Sequence, residues 1–117
     1  MDKFKSLTKK IIEFRDARDW KQFHNPKDLA LSLVLEAGEV MEHFQWKNEA
    51  EIEKYIKTNR DEIGEELADV LFFILLMCYD LNINISDALD KKMKKNEKRY
   101  PVEKSKGNHT KYNKLFS

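Results

Sequence analysis

Two short stretches, LEAGEV (residues 35–40) and EELADV (residues 65–70), each place two acidic residues three positions apart in an otherwise largely apolar setting. The first pair is Glu36 and Glu39, and the second is Glu66 and Asp69. Residues three apart on a helix lie on nearly the same face, so the acids of each pair point together. If the two helices pack antiparallel, the four carboxylates converge on one place. The pattern therefore predicts facing helices with a cluster of acids between them.

A cluster of this kind needs a cation. Four like charges in a partly buried site repel one another strongly unless a metal ion neutralises them. Hard carboxylate oxygens suit Mg²⁺ or Mn²⁺, and Mg²⁺ usually leaves coordination positions for water and phosphate. We therefore favour a metal site formed by the four acids. The alternative, that some of them belong only to a solvated helix face, stays open here. Glu62 and Glu65 are assigned to such a face or, at most, to a supporting role around the metal ligands.

An iron site is the chemical competitor. Di-iron carboxylate bundles use a Glu-x-x-His pair on each of two helices. In this sequence His43 follows Glu39 by four residues, and the helix of the second acid pair contains no histidine. The spacing argues against iron, and we expect His43 to be a surface residue at a helix end.

Composition limits the class of protein. With 117 residues the chain is long enough for one domain with a modest core. Its 22 Lys and Arg balance 21 Asp and Glu, which predicts neither nucleic acid nor a membrane as partner. The N-terminus lacks the apolar stretch of a signal peptide. The single cysteine, Cys78, cannot form an internal disulfide and is typical of a reducing compartment. We expect a cytoplasmic protein.

Apolar spacing and capping residues predict an all-α chain. A first amphipathic helix has Phe4, Leu7, Ile11, Phe14 and Ala17 at helical intervals. The expected starts of the later helices, with their caps, are Asn25 with Pro26, Asn48 with Glu51, Asn59 with Glu62, and Ser86. We expect the second helix to end near Trp46 and the last at Tyr100, before Pro101, leaving residues 102–117 as a polar tail that is extended or partly disordered.

The third long helix is unusually apolar. Its segment LADVLFFILLMCY, residues 67–79, carries apolar side chains on every face. A helix of this composition must be covered on all sides, which the other helices of so small a chain cannot easily do. We therefore expect the apolar helix, up to Leu81, to form a subunit interface.

With these features in view, the chain resembles the all-α nucleoside triphosphate pyrophosphohydrolases of the MazG-like superfamily, most nearly their dCTP pyrophosphatase branch. The resemblance spans residues 4–101. The matching segments, in chain order, are RDWKQFHNP (18–26), EAGE (36–39), EHFQWK (42–47), EELAD (65–69) and KMKKNEKRYP (92–101).

The resemblance implies a four-helix-bundle-type MazG-like domain over residues 1–101, followed by the tail, and a homotetramer built from two dimers. It implies Mg²⁺-dependent hydrolysis of a nucleoside triphosphate, dCTP or a related pyrimidine deoxynucleotide, to the monophosphate and pyrophosphate. The metal ligands and catalytic residues would be Glu36, Glu39, Glu66 and Asp69. The substrate-binding residues would be Trp20, His24, Trp46, Lys92, Asn96 and Tyr100.

Several alternatives stay open. The chain could be a dUTPase-like relative with another substrate, or a non-catalytic helical oligomer that binds a metal or a nucleotide. Trp46 could instead anchor a helix end in the core, Trp20 could fill a loop, and His24 could be a structural hydrogen-bonding residue. Which glutamate activates water, and how many metal ions bind, are also left open by the residues.

Overall fold

A computed structural model of the chain describes residues 2–115, and every regular element in that range is helical. This confirms the all-α prediction. The elements are α1 (Lys3–Ala17), a 3-10 turn (Lys21–Phe23), α2 (Pro26–Glu42), α3 (Glu49–Asp80), α4 (Ile85–Arg99), α5 (Val102–Ser105) and α6 (Tyr112–Leu115). The chain divides between Ile83 and Asn84 into two compact units, which we call the first and the second unit.

The starts of α2 and α3 follow from local side-chain chemistry. The Asn25 side chain accepts a hydrogen bond from the backbone N–H of Asp28 at 2.9 Å, and Pro26 occupies the first helical position. Asn48 and Glu51 form a complete capping box, each side chain accepting from the other's backbone N–H. Both starts were predicted correctly. The end of α2 was not, because the helix stops at Glu42, before the predicted Trp46.

The predicted boundary at Asn59 is confirmed as a kink in α3. Asn59 has non-helical angles, φ −123° and ψ 22°, so that two helical segments meet there within the range Glu49–Asp80. The Asn59 amide donates to the backbone carbonyl of Tyr55 at 3.0 Å and to the Thr58 hydroxyl at 2.9 Å. The side chain thus bonds to residues before the kink, and the short predicted helix is the first part of α3.

The second unit also departs from expectation. Its long helix α4 is capped by Asn84, whose side chain accepts from the Asp87 N–H at 3.1 Å, and the predicted cap Ser86 is already inside the helix. The segment predicted to be extended contains α5 and α6, while residues 116–117 lie outside the described range. The rings of Tyr100 and Tyr112 meet edge to face with centroids 6.2 Å apart.

Helices α2 and α3 form an antiparallel hairpin. Glu36 of α2 lies beside Asp69 of α3, whereas His43, just after the end of α2, contacts Tyr55, which comes earlier in α3. This is the arrangement under which the acid pairs were expected to converge. The fully buried apolar residues of the first unit come from both helices: Leu29, Leu75 and Leu76.

Helix α1 packs on α3. The Phe14 and Phe72 rings meet edge to face at 6.2 Å, and the Arg15 guanidinium forms an ion pair with Asp80 at 2.8 Å. Arg15 is 2% exposed, the one buried charged residue among those described.

Helix α2 carries a group of strongly exposed apolar side chains. The apolar run of α3 is mostly half-buried within the chain, with Leu67 and Tyr79 as its more exposed members. The large apolar side chains that α2 leaves more than half exposed are Leu31, Val34, Leu35 and Met41. An interface through α3 therefore stays a prediction, and α2 offers the more evident uncovered face.

Charge is distributed unevenly along the chain. From Asn84 to the end there are ten Lys and Arg against four Asp and Glu. The nearly neutral net charge is thus the average of an acidic first part and a basic second part. The argument from net charge against a nucleic-acid partner therefore does not extend to the second unit.

In the described range no single helix is long and apolar enough to cross a membrane. Only the bent pair of helices Glu49–Asp80 and Ile85–Arg99, taken together, reaches the required length and composition.

Candidate metal and nucleotide site

Three of the four predicted acids come together. One carboxylate oxygen each from Glu36 and Glu39 on α2 and from Glu66 on α3 lie within 4.8 Å of one another. We call these three residues the acid cluster. Glu36 and Glu66 are half-buried and Glu39 is exposed, so the cluster opens to solvent on one side.

Asp69, the fourth predicted acid, lies beside this cluster. It is one turn along α3 from Glu66, and its charge raises the pKa of both Glu36 and Glu66. It also lines the same cavity as Glu36. Glu39 and Asp69 therefore both act on Glu36 and Glu66, although only Glu36, Glu39 and Glu66 offer oxygen atoms within 4.8 Å of one another.

The electrostatics of the acid cluster fit a divalent cation. Burial, followed by a hydrogen bond and charge repulsion from Glu39, raises the pKa of Glu36 to about 7. A hydrogen bond to Glu39, followed by desolvation, raises the pKa of Glu66. The Oε2 atom of Glu36 is shielded from solvent and has no hydrogen-bond partner. A buried acceptor without a partner is costly, and a hard cation would satisfy it while removing the repulsion.

A cavity of about 540 Å³ adjoins the acid cluster. This volume lies within the range that accommodates a small organic ligand. Two carboxylates and four aromatic rings contribute to its wall, which is formed by Lys10, Ile11, Phe14, Trp20, Glu36, Asp69, Phe72 and Phe73. Such a cavity can hold a flat ring against its aromatic part while a charged group reaches the acids.

Comparison with known proteins identifies the family. Residues 31–115 match the family described as MazG-like. The chain belongs to the MazG-like family. It is 41% identical over 105 residues to dCTP pyrophosphatase 1 of Rattus norvegicus and 37% identical to that of Homo sapiens. Each alignment covers 88% of this chain, which spans only 62% of the length of either relative.

One solved structure is matched over a larger share of its length than the two mammalian relatives are. It is the crystal structure of a pyrophosphatase from Archaeoglobus fulgidus, 38% identical, with a TM-score of 0.81. The match covers 86% of this MazG-like chain and 94% of the archaeal one. The chain therefore shares its fold with this archaeal protein across most of its length.

Of the predicted substrate-binding residues in the first unit, Trp20 lies at the cavity of this MazG-like chain. Its ring packs edge to face on Phe14 at 5.6 Å, and both rings contribute to the wall. His24 is half-buried, and its Nδ1 lies 3.5 Å from Nη1 of Arg15. Burial, followed by the charge of Arg15, lowers the pKa of His24. Trp20 thus shares the cavity wall with Glu36 of the acid cluster, whereas His24 has a structural partner in Arg15.

Trp46 stands apart from the cavity. It is 91% exposed, has a positive φ of 68°, and is not among the residues of the cavity wall. The interpretation that it anchors a helix end in the core is therefore wrong. Its predicted role in binding a base stays a prediction.

The remaining predicted residues, Lys92, Asn96 and Tyr100, belong to the second unit. They follow one another at intervals of four along α4 and its C-cap, and the Asn96 carbonyl accepts from the Tyr100 N–H at 2.8 Å. They form one stripe, as expected. Their predicted role in binding phosphate and sugar stays a prediction.

His43 was wrongly predicted to be a surface residue. Its side chain is 13% exposed and lies between α2 and α3 in this MazG-like hairpin. Nδ1 is 2.5 Å from the Tyr55 hydroxyl, and Nε2 is 4.0 Å from Oε1 of Glu66. The sequence carried one signal for this position, because a residue four after Glu39 lies on the helix face that bears the acids.

Proposed function

We propose that this chain is a nucleoside triphosphate pyrophosphohydrolase, which hydrolyses its substrate to the monophosphate and pyrophosphate and depends on Mg²⁺, with Mn²⁺ as a substitute. The observation that carries the proposal is the convergence of Glu36, Glu39 and Glu66 beside a cavity with aromatic walls. The names of the rat, human and archaeal relatives, all pyrophosphatases, support it.

The four acids would hold the metal. Glu36 has an unpartnered buried oxygen, Glu39 and Glu66 offer oxygens close to it, and Asp69 adds charge at the cavity wall. A bound ion would neutralise phosphate charge and make a coordinated water more acidic. One of the glutamates orients the attacking water, since this chemistry needs positioning and charge neutralisation more than a protein nucleophile.

We propose dCTP or a related pyrimidine deoxynucleotide as the substrate, a choice supported by the names of the mammalian relatives. Trp20 offers a face on which the base can stack, with His24 and Trp46 as further candidates. Stacking tolerates any base, so hydrogen bonds must supply the discrimination. Lys92, Asn96 and Tyr100 remain candidates for phosphate and sugar contacts.

A panel of nucleoside triphosphates tests the reaction. The protein is incubated with Mg²⁺ and dCTP, dUTP, dTTP, dATP, CTP or ATP, and the products are resolved by ion-exchange chromatography. We expect monophosphate and pyrophosphate in equal amounts, fastest from dCTP, and no reaction after chelation of the metal. Appearance of diphosphate and free phosphate would contradict the proposed cleavage. A fastest rate with dUTP would indicate a dUTPase-like relative, and binding without turnover of any nucleotide would favour the non-catalytic alternative.

We further propose that the chain acts as a homotetramer of two dimers in the cytoplasm. The exposed apolar residues of α2, such as Val34 and Leu35, support an interface between copies, because monomeric proteins rarely leave so continuous an apolar face uncovered. The single unpaired cysteine suits a reducing compartment.

A further inference from the structure

A chain of polar contacts runs from α3 through α2 back to α3. It begins at the Tyr55 hydroxyl, passes through both nitrogens of the His43 ring, and ends at the Glu66 carboxylate of the acid cluster. Tyr55 lies before the kink of α3 and Glu66 after it. His43 thus lies between one acid of the cluster and a neutral group that takes no part in it.

The two contacts together assign the role of each ring nitrogen. A neutral imidazole carries one N–H donor and one acceptor. The Tyr55 hydroxyl, 2.5 Å from Nδ1, can donate or accept, whereas the ionised Glu66 carboxylate can only accept, so the ring proton is assigned to Nε2 and Nδ1 accepts from the Tyr55 O–H. The N–H of His43 therefore faces Oε1 of Glu66.

The second contact is longer. At 4.0 Å the Nε2 and Oε1 atoms are beyond direct hydrogen-bond distance, so their attraction acts through charge and dipole or through one intervening water. An N–H dipole that faces Oε1 favours the ionised carboxylate, which is the form that binds a metal.

Packing keeps the histidine ring where it is. The rings of Phe44 and Tyr55 lie 6.2 Å and 5.7 Å from its centroid, and the Lys47 ammonium lies 4.3 Å from the centre of the Tyr55 ring. A ring with neighbours on these sides and a hydrogen bond at Nδ1 has a fixed direction for its Nε2–H bond. Groups that fix a ligand's orientation in this way commonly change metal affinity by about 10- to 100-fold.

We propose that His43 is a positioning residue, which is held by Tyr55 and orients the Glu66 carboxylate for metal binding. This deepens the proposed function and depends on its metal site. His43 touches neither substrate nor metal, and acts only through Glu66.

Two substitutions separate the two nitrogens. In His43→Asn the amide occupies roughly the place of Nδ1, so the Tyr55 contact can persist while the group facing Glu66 is lost. In His43→Gln the longer side chain brings an N–H donor to roughly the place of Nε2. The two variants are both neutral and polar, and both remove the ring, so loss of ring packing affects them alike.

The measurement is the dissociation constant of Mn²⁺, determined by calorimetry on the metal-free protein without nucleotide, with thermal melts as a check on folding. We expect His43→Asn to bind Mn²⁺ about tenfold more weakly than wild type and His43→Gln to remain within about threefold. A dissociation constant for His43→Asn less than threefold above that of His43→Gln would overturn the proposal.

Tyr55→Phe provides a second arm if either His43 variant does not fold. It removes one hydroxyl and keeps the ring, and we expect it to weaken Mn²⁺ binding at least threefold by freeing the histidine ring. Unchanged affinity in this variant would also overturn the proposal. If wild type bound no divalent metal, the metal site of the proposed function would fail as well, whereas equal binding by all variants would refute the role of His43 alone.

Discussion

Arg15 of α1 and Asp80 of α3 form a buried ion pair with two parallel hydrogen bonds, Nη1 to Oδ2 at 2.8 Å and Nη2 to Oδ1 at 2.9 Å. Their side chains are 2% and 8% exposed. The hydrogen bond from Arg15 is the main reason why the pKa of Asp80 lies below its ordinary value, and the same bond raises the pKa of Arg15. The pair fixes the end of α1 on the end of α3, and thereby positions Phe14 at the cavity wall.

Removing one member of this pair should be costly. In Asp80→Ala the buried guanidinium loses its counter-ion, and loss of one partner from a buried pair costs roughly 3–5 kcal/mol. We expect the free energy of unfolding to fall by that amount in denaturant titrations at one fixed protein concentration.

The exposed Asp61 on the same helix is the matched control, and Asp61→Ala should change stability by less than about 0.5 kcal/mol. The double variant Arg15→Met, Asp80→Leu should recover most of the loss, because an apolar pair leaves no charge buried. Equal stability of Asp80→Ala and Asp61→Ala would show that the ion pair contributes nothing.

Interactions within four residues of sequence were predicted best. The caps at Asn25 and Asn48 each depend on a partner three residues on, so the sequence displays both partners together. The acid cluster was visible for the same reason, since each helix shows its own pair of acids. The antiparallel packing of the two helices was an assumption, and the hairpin of α2 and α3 confirms it.

Interactions between distant residues were missed. Arg15 and Asp80 are 65 positions apart, and no local pattern marks them as partners. The sequence alone predicts an exposed His43, because Tyr55, which covers it, lies on the facing helix. Asn84 and Ser86 are both good capping residues two positions apart, and propensity alone did not identify Asn84 as the one that caps α4.

The metal-free protein should lose stability as the pH rises through neutrality. The folded-state pKa of Glu36, about 7, is above its ordinary 4.5, so folding binds this proton more tightly. That contribution is complete below about pH 4.5 and is lost as the pH rises through 7. We expect wild type to melt below Glu36→Gln at about pH 8 and much closer to it at about pH 5.

The comparison between the two proteins isolates Glu36. His24 has a lowered pKa and changes stability in the opposite direction, but it does so equally in both proteins. The measurement is a series of thermal melts in chelator across the pH range. A constant difference in melting temperature from about pH 5 to pH 8 would mean that Glu36 does not titrate as its surroundings indicate.

Trp20 should contribute to nucleotide binding more than to turnover. Stacking of a base on an aromatic ring contributes about 1–3 kcal/mol, so Trp20→Ala should raise KM roughly tenfold with little change in kcat. Phe23→Ala is the control, because Phe23 is 65% exposed and is absent from the cavity wall. Steady-state kinetics with dCTP would decide, and similar KM values for the two variants would exclude Trp20 from the base site.

The exposed face of α2 should determine the oligomeric state. Val34 is 66% exposed within one chain, so a charge there costs little in a monomer and much in an apolar interface. We expect Val34→Lys to lower the molar mass measured by light scattering while the helical content stays the same. Ile74→Lys, at a half-buried position of α3, should damage folding and assembly together. An unchanged mass for Val34→Lys would place the interface elsewhere.

Glu39 should lower the stability of the metal-free protein, and it should be required for stabilisation by bound metal. Hydrogen bonds and charge from Glu39 contribute to the raised pKa of both Glu36 and Glu66. Glu39→Gln removes this repulsion and one ligand while keeping the shape of the side chain. The metal-free variant should therefore melt no lower than metal-free wild type.

Added Mg²⁺ should then separate the two proteins. A cation that binds only the folded state stabilises it by about 2.7 kcal/mol at a hundred times its dissociation constant. Wild type should gain about this much, whereas Glu39→Gln should gain little and lose nearly all turnover. The exposed Glu65, on the same helix as Glu66 but outside the acid cluster, provides the control, and Glu65→Gln should respond to Mg²⁺ as wild type does. If Glu39→Gln gained as much from Mg²⁺ as Glu65→Gln and kept its activity, Glu39 would be an ordinary acid on a solvated helix face.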